Sequence, residues 1–353
     1  MRPILFIVPA LASLLATGAV AQDLAVRDCR ADSASILPMV PAGHDAITAH
    51  ATDDLLGPSI FQRHSTTRDG GDFTIETRRF DDYDAQLPAY LGCETPYMRV
   101  THAQMTLLAE QTEAQDKTRM VPVFFYGWSN GADALVARDF DALSDLSGRA
   151  VATTPARLDF ALQLALDAET MPDIRLVDTP AESFAQDAGL PFAIMSTPRA
   201  EVLTAGGVGT GAEGSVAGAQ QLVTTTSANR VIGDLLVVRA DYLEQNSDKV
   251  RATVRALLKA EELFREDAKK QVVDFQRAAE MVLGDAALED EMQTLWRGVE
   301  TVGLNGQVDW STASAPRSFR SVVNSGQTAM VKAGLIPSAV ALTDPPLDYA
   351  TLG

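Results

Sequence analysis

Short apolar runs alternate with amphipathic segments through the first two thirds of the chain. Residues 73–77 (FTIET) alternate apolar and polar side chains, a period of two that predicts a half-buried strand. Residues 120–126 (MVPVFFY) form an unbroken apolar run, which is typical of a strand covered on both faces. Residues 149–153 and 174–177 are predicted as further strands, with a helix over 156–168 between them. Repeated strand–helix–strand units predict an α/β protein with mostly parallel sheets.

The last third of the chain has a helical pattern. The segment 248–264 carries its apolar residues on one stripe, which predicts an amphipathic helix. Helical periodicity continues over 272–283, 288–299 and 319–332, and a Pro-rich tail without a regular period follows over 339–353. An α/β body with a helical return is the pattern expected of two lobes that share a hinge.

The first residues have the features of a secretory signal peptide. Met1 and Arg2 give a positive start, residues 4–16 are almost entirely apolar, and Ala19-Val20-Ala21 forms an A-x-A cleavage site. Cleavage is therefore predicted after Ala21, which places the mature protein in the periplasm. A buried N-terminal core helix is the alternative. Because no second long apolar run follows, direct membrane insertion is not expected.

Length, composition and charge narrow the possible functions. The chain has 353 residues, of which 46% are hydrophobic and 22% are charged, and this length suggests about two globular domains. The net charge is −18. Nucleic-acid binding needs a basic footprint, and binding to an anionic membrane surface needs a basic face, so neither partner is expected.

Cys29 and Cys93 are the only cysteines in the sequence. An even number of cysteines in an oxidising compartment favours one disulfide, which would attach the mature N-terminus to the first lobe. Two buried free thiols are the alternative.

Sequence patterns typical of catalysis or of cofactor binding are missing. The four histidines stand apart without metal-ligand spacing, and no HExxH, GxSxG or Walker sequence occurs. Residues 209–214 match GxGxxG. A dinucleotide site needs a strand directly before this motif, whereas the residues before it here are predicted to form a loop. We therefore expect no cofactor, no metal and no enzymatic activity.

Three loops at the predicted strand ends concentrate polar side chains, where α/β sheets bind ligands. In the first loop, Trp128 offers a stacking face, Ser129 and Asn130 offer hydrogen bonds, and Asp133 offers a carboxylate for a donor. A turn whose Trp128 caps the core is the alternative.

The second loop begins a helix. Thr154 fits an N-cap and Pro155 fits the first helical position, so the free amides there, with the hydroxyls of Thr153 and Thr154, predict an oxyanion site. Arg157 opposes the helix dipole, so it is expected to meet an anion from a ligand or from the protein. Asp159 is a candidate to accept from a ligand donor.

The third loop, 224–230, has four hydroxyls and ends in Asn229 and Arg230, both candidate ligand-binding residues. Two segments near 128–133 and 224–234 are predicted to cross between the lobes. Arg99, Thr101 and Arg199 are further candidates.

Four segments together resemble the solute-binding proteins of ABC importers of the nitrate/sulfonate/taurine and thiamine-precursor type. They occur in the family's order and cover most of residues 70–265: FDDYDAQL at 80–87, DALVAR at 133–138, LSDLSGRAV at 143–151 and LLVVRADYL at 235–243. At 153–155, Thr-Thr-Pro replaces the Gly-Ser pair often found in the family, so the resemblance does not imply a simple sulfonate or nitrate ligand.

The resemblance implies the type 2 periplasmic-binding-protein fold, an α/β fold with two lobes, here with a helical C-terminal third. The expected organisation is a signal peptide (1–21), lobe I in its first part (22–130), lobe II (131–228), the return to lobe I with the C-terminal helices (229–338) and a tail (339–353). The implied function is capture of a small polar or anionic organic solute for delivery to an ABC transporter permease. Cationic amines, a sensor subunit for a membrane receptor and an exported enzyme are the alternatives.

Overall fold

The computed structural model describes residues 26–66, 71–113, 115–228, 230–266 and 271–352. The predicted signal peptide and Asn229 lie outside the described residues. The strands are β1 (Ser35–Met39), β2 (Ile75–Arg79), β3 (Tyr97–Thr101), β4 (Met120–Ser129), β5 (Asp133–Arg138), β6 (Ala150–Thr153), β7 (Asp173–Leu176), β8 (Phe192–Ser196), β9 (Ala219–Thr224), β10 (Gly233–Arg239) and β11 (Val299–Thr301).

Of the twelve α-helices in the described residues, five lie on segments that were predicted as helical, namely α5, α8, α9, α10 and α12. They are α1 (Asp45–Ala51), α2 (Ile60–His64), α3 (Leu87–Leu91), α4 (His102–Thr112), α5 (Leu158–Asp167), α6 (Pro180–Gln186), α7 (Thr197–Thr204), α8 (Ala240–Glu266), α9 (Gln271–Ala278), α10 (Glu289–Arg297), α11 (Gly303–Ser311) and α12 (Phe319–Lys332). Helix α8 has a non-helical residue at Asn246. It therefore extends the predicted 248–264 helix by a separate N-terminal segment.

Two sheets form the centres of two lobes. The lobe I sheet has the order β11–β4–β10–β3, and the lobe II sheet has the order β7–β6–β8–β5–β9. Strand β4 is buried along all of its length, as its apolar run predicts. It continues to Ser129, three residues beyond the predicted run.

The prediction of mostly parallel sheets is wrong. In the lobe I sheet, β10 pairs antiparallel with both β3 and β4, and in the lobe II sheet β5 pairs antiparallel with β8 and β9. Parallel pairing occurs between β1 and β2 and between β6 and its neighbours β7 and β8. The reason is topological, because β5 and β10 directly follow the passages between lobes and enter their sheets from the opposite end.

The chain passes between the two sheets at the two predicted segments, 130–132 and 225–232. The two passages are hydrogen-bonded to each other's flanks: Ser129 N–H donates to the Ile232 carbonyl at 2.8 Å, and Thr225 N–H donates to the Asp133 carbonyl at 2.9 Å. This pair of adjacent connections is the geometry of a two-segment hinge.

The C-terminal region links both lobes. Phe319 and Val323 of α12 pack in the lobe I core, whereas Ala329 and Met330 pack in the lobe II core. The chain then returns to lobe I, where the buried Tyr349 hydroxyl donates to the Val123 carbonyl at 2.7 Å. The irregular tail is therefore anchored rather than loose.

The predicted disulfide between Cys29 and Cys93 is confirmed, with the two Cα atoms 5.4 Å apart. The buried Arg239 guanidinium reinforces this attachment by donating to the Arg27 carbonyl at 2.8 Å and to the Leu91 carbonyl at 2.6 Å. The described N-terminal segment is thus fixed to lobe I.

Candidate functional site

A cavity of about 70 Å³ lies between the lobes, next to the two hinge segments. Both lobes contribute polar side chains to its wall: His44, Tyr83, Thr101 and Asp234 from lobe I, and Ser129, Asp133, Arg157 and Ser196 from the hinge and lobe II. Apolar residues such as Ala132, Ile232 and Val299 separate these polar groups. A concave, partly apolar surface with a few convergent polar groups is the usual form of a small-molecule site.

Helix N-termini point at this cavity because each of its polar loops connects a strand end to a helix. Helix α4 begins directly after Thr101, α7 begins directly after Ser196, and the 3₁₀ turn Pro155–Arg157 leads into α5. Helix α1 begins at Asp45, next to His44. The N-terminus of a helix carries partial positive charge, so these elements together favour a negatively charged occupant. In α4, two of the first-turn amides are already capped, by Thr101 and by Asp159.

Beneath the lobe I wall lies a buried network centred on Arg99, whose side chain has no exposed area. Its Nη1 donates to Asp45 Oδ1 at 2.7 Å, its Nε donates to Asp234 Oδ1 at 3.0 Å, and its Nη2 donates to Asp234 Oδ2. The guanidinium also lies 3.8 Å from the centre of the Tyr126 ring. His44 Nδ1 and the Tyr83 hydroxyl contact Asp234 Oδ2 at 3.2 and 3.1 Å.

One guanidinium serves two carboxylates in this network, so their pKa values separate. Burial opposes ionisation of Asp234, but Arg99 and His44 outweigh it and lower the pKa of Asp234 to about 2. Burial raises the pKa of Asp45 to about 7 in spite of the attraction of Arg99. Burial also lowers the pKa of His44, against its contact with Asp234, so His44 is neutral at pH 7. The network therefore presents little net charge to the cavity.

On the opposite wall, Asp133 is held by neighbours from three segments. Its Oδ2 accepts from the Ser129 hydroxyl at 2.7 Å, and its Oδ1 accepts from Arg157 Nε at 2.5 Å. The Thr225 hydroxyl lies 2.7 Å from Ser129 Oγ and accepts from Gly131 N–H at 2.8 Å. Ser129 and Asp133 thus tie the two hinge segments together, and Arg157 meets a protein carboxylate, one of the two anions predicted for it.

Hydrogen-bond donors predominate among the groups of the cavity wall that remain without a partner. Within the described parts of the chain, neither the Gly43 and His44 amides nor the Ser196 hydroxyl has a hydrogen-bond partner. Arg157 uses Nε on Asp133 and reaches Thr154 Oγ1 with Nη1 at 3.5 Å, which leaves Nη2 for a ligand. The wall is thus suited to an acceptor-rich group.

Of the ten ligand-binding residues predicted from the sequence, Ser129, Asp133 and Arg157 line this cavity. Trp128 does not, because β4 continues through it and the strand's alternation turns its ring into the core, where it stacks on His102 with ring centres 5.9 Å apart. This is the core position that the sequence left as the alternative. Asn130 is exposed, and its backbone N–H donates to the Gly298 carbonyl at 2.7 Å.

The second and third loops contribute less than predicted. Thr153 is fully buried. Thr154 is the N-cap residue of the 3₁₀ turn Pro155–Arg157, although its hydroxyl caps no amide. Asp159 caps another helix instead of facing the cavity. Arg230 pairs with Glu300 on a separate surface hollow that also includes Trp128. Asn229 lies outside the described residues.

Sequence reasoning missed His44, Tyr83, Ser196 and Asp234, whereas Thr101 and Arg99 were secondary candidates. Each missed residue lies at a strand end or in a strand–helix loop, so the rule used for the three loops also applies to residues 40–44 and to Ser196. Asp234 is the second residue of β10 and had no local signal, because its partners Arg99, His44 and Tyr83 are all more than 130 positions away.

Comparison with solved structures identifies the architecture. A ligand-binding component of an ABC-type import system from Staphylococcus aureus matches with a TM-score of 0.60 and 10% identity, over 91% of this chain and 99% of the other. The Escherichia coli periplasmic aliphatic sulphonate binding protein SsuA matches with a TM-score of 0.59 and 13% identity, over 87% and 90%. A Candida albicans protein described as having the generic periplasmic binding protein structural fold matches with a TM-score of 0.55 and 12% identity, over 89% and 98%.

The chain has the periplasmic-binding-protein fold. No protein-family model and no curated protein matches its sequence. In this periplasmic-binding-protein fold, the cavity described above occupies the space between the lobes, at the hinge. The described residues include no helix long and apolar enough to cross a bilayer, and no cluster of three or more potential metal ligands.

Proposed function

We propose that this protein is the exported solute-binding component of an ABC importer, and that it holds a small anionic organic solute between its lobes. The observation that carries the proposal is the position of the cavity. Its wall comes from both lobes and from the hinge itself, so closure around a ligand would complete the site and opening would release the ligand.

The preference for an anion rests on the imbalance of donors over acceptors. Among the described residues of the wall, the donors without a partner include the Gly43 and His44 amides, the Ser196 hydroxyl and one Arg157 nitrogen, and helix N-termini lie around them. Asp133 and Asp234, which would favour a cationic amine, already accept from Arg157 and Arg99. A carboxylate or sulfonate group therefore fits this wall better than an amine.

The importer role and the periplasmic location are supported from several directions. The S. aureus neighbour is named as a ligand-binding component of an import system and the E. coli neighbour as a periplasmic binding protein. The N-terminal residues have signal-peptide features, and a disulfide suits an oxidising compartment. The partner expected from this role is a membrane permease.

A ligand screen tests the proposal. The mature protein is assayed by thermal shift with small carboxylates and sulfonates, and with amines of matched carbon skeleton, and hits are measured by calorimetry. Arg157→Gln removes the guanidinium from the cavity wall. The matched control is Arg199→Gln, because Arg199 is an exposed lobe II arginine that pairs with Glu182 outside the cavity.

Loss of a hydrogen bond to a charged group costs about 1.5–3 kcal/mol, so we expect Arg157→Gln to raise the Kd about tenfold to a hundredfold. Arg199→Gln should leave the Kd unchanged. Preferential binding of the amines, or equal loss of affinity in both variants, would contradict the proposed site.

A further inference from the structure

A single carboxylate connects the two lobes at the side of the cavity. Asp159 lies in the first turn of α5, which follows the lobe II strand β6, and its Oδ2 accepts from the Ala103 amide at 3.0 Å. Ala103 is in the first turn of α4, which follows the lobe I strand β3. A lobe II side chain therefore caps a lobe I helix, and Asp159 is only 6% exposed.

The carboxylate of Asp159 has no positive partner among the described residues. On α4, burial lowers the pKa of the neighbouring His102 to about 3, so its ring is neutral. On the chain leading into α5, Arg157 is bonded to Asp133. Before α12, Arg317 lines a neighbouring cavity, without an ion pair to Asp159. The Ala103 amide and the dipole of α4 are thus the groups that stabilise a negative charge here.

A glycine in the bridging helix makes room for this side chain. Gly326 lies in the middle of α12, where glycine costs about 1 kcal/mol relative to alanine. A Cβ atom at Gly326 would lie 3.3 Å from Asp159 Oδ1, closer than most such contacts. Helices α4, α5 and α12 therefore meet around the carboxylate, beside a cavity of about 380 Å³ that Gln163 and Ser325 also line.

We propose that Asp159 is a proton-sensitive latch between the lobes, which favours the closed state when it is protonated. The latch rests on the proposed function only in requiring that the lobes open and close. The arrangement in this structure, with the carboxyl group buried against α4, is the closed state of the latch, and separation of α4 from α5 on opening returns the carboxyl group to water. The closed state therefore takes up a proton that the open state releases.

The direction and size of the effect follow from linkage. Burial raises the pKa of Asp159 to about 7 in this structure, against the effect of the Ala103 amide, whereas a hydrated aspartate has a pKa of about 3.9. As the pH rises between these two pKa values, the equilibrium constant for closing falls by up to about tenfold per pH unit. Above about pH 7 this constant no longer changes with pH. Acidification from pH 8.0 to pH 5.5 should thus favour closure by about tenfold or more.

The test uses the full mature chain without ligand. Small-angle scattering gives the radius of gyration, and hydrogen exchange gives the protection of residues 102–108, both at pH 5.5 and pH 8.0, with exchange corrected for its intrinsic pH dependence. Asp159→Asn keeps the shape and an acceptor for Ala103 but cannot titrate. Asp167→Asn is the control, because Asp167 is an exposed residue at the other end of α5.

For the wild type and Asp167→Asn, we expect a smaller radius and slower exchange at pH 5.5 than at pH 8.0. Asp159→Asn should lose this difference. A wild type without any pH response, or an Asp159→Asn variant with the wild-type response, would overturn the latch. Should Asp159→Asn fail to fold, Asp159→Ser replaces it: its hydroxyl does not titrate between pH 5.5 and pH 8.0, so a wild-type response in this variant would also overturn the proposal.

Failure of the latch and failure of the proposed function are distinguishable. Because scattering and exchange need no ligand, pH-dependent closure in a protein that binds none of the screened anions would leave the latch and remove the anion-binding role. Anion binding that depends on Arg157, without pH-dependent closure, would support the proposed function and overturn the latch.

Discussion

Removal of the Arg99 guanidinium should destabilise lobe I strongly. We consider Arg99→Met, which keeps an unbranched side chain of moderate length but removes the positive charge. In the wild type, the buried guanidinium donates to both Asp45 and Asp234 and lies over the Tyr126 ring. The variant leaves two buried carboxylates without a counter-charge.

The expected loss can be estimated in two ways. Removing one partner of a buried ion pair costs about 3–5 kcal/mol, because the remaining charge is uncompensated. Independently, lowering the pKa of Asp234 from 3.8 to about 2 corresponds to about 2.5 kcal/mol of stability, which is present above pH 4 and is lost as the pH falls towards 2. Asp45, whose pKa is about 7, can become neutral at lower cost. The two pKa values therefore attribute most of the loss to Asp234.

Urea unfolding followed by circular dichroism at pH 7.5 and pH 5.0 measures the effect. We expect Arg99→Met to lose about 3–5 kcal/mol at pH 7.5 and less at pH 5.0, since unpaired buried carboxyl groups are protonated more easily at the lower pH. The control, Arg199→Met, removes an exposed ion pair with Glu182 and should cost at most about 1 kcal/mol. A loss for Arg99→Met as small as that of the control, or one that does not change with pH, would refute this account of the network.

Two further predictions concern the framework around the site. Replacing Cys29 and Cys93 together by Ser should lower the free energy of unfolding by about 4 kcal/mol, because the disulfide closes a loop between residues 64 positions apart. Urea unfolding measures this loss. An unchanged unfolding midpoint would contradict the prediction. Gly127→Ala should cost about 2 kcal/mol or more and weaken the β4–β11 pairing, since Gly127 has a φ of +140° and a Cβ there would lie 2.0 Å from the Glu300 carbonyl oxygen. Gly207→Ala is its control, because nothing lies within 4 Å of a Cβ at Gly207, and equal melting temperatures for the two variants would argue against the close approach.

Local pattern predicted some elements of this protein well. The helix expected over 319–332 coincides with α12, and the apolar run at 120–126 lies within β4. The oxidised cysteine pair, the Thr154–Pro155 helix start and the two passages between lobes also follow from short stretches of sequence. Each of these features depends on side chains that are neighbours along the chain or, for the disulfide, on the one possible pairing of two cysteines.

Prediction of the site was less complete because side-chain direction depends on where an element ends and on what packs against it. Trp128 had the composition of a ligand loop, but extension of β4 to Ser129 turned its ring into the core. Asp159 was predicted to accept from a ligand, yet its carboxylate accepts from the Ala103 amide of α4 in the other lobe.

The sequence by itself determined where α12 and most of β4 form and near which residues the chain crosses between the lobes, since periodicity and capping are properties of consecutive residues. Its resemblance to solute-binding proteins implied the fold. Only the tertiary structure decided the direction of strand pairing and the composition of the cleft. Arg99 and Asp234 are 135 positions apart, and neither carries a local mark of its partner. The folding of lobe I brings them together, and a guanidinium excluded from water then needs acceptors such as these carboxylates for its charge and its N–H groups.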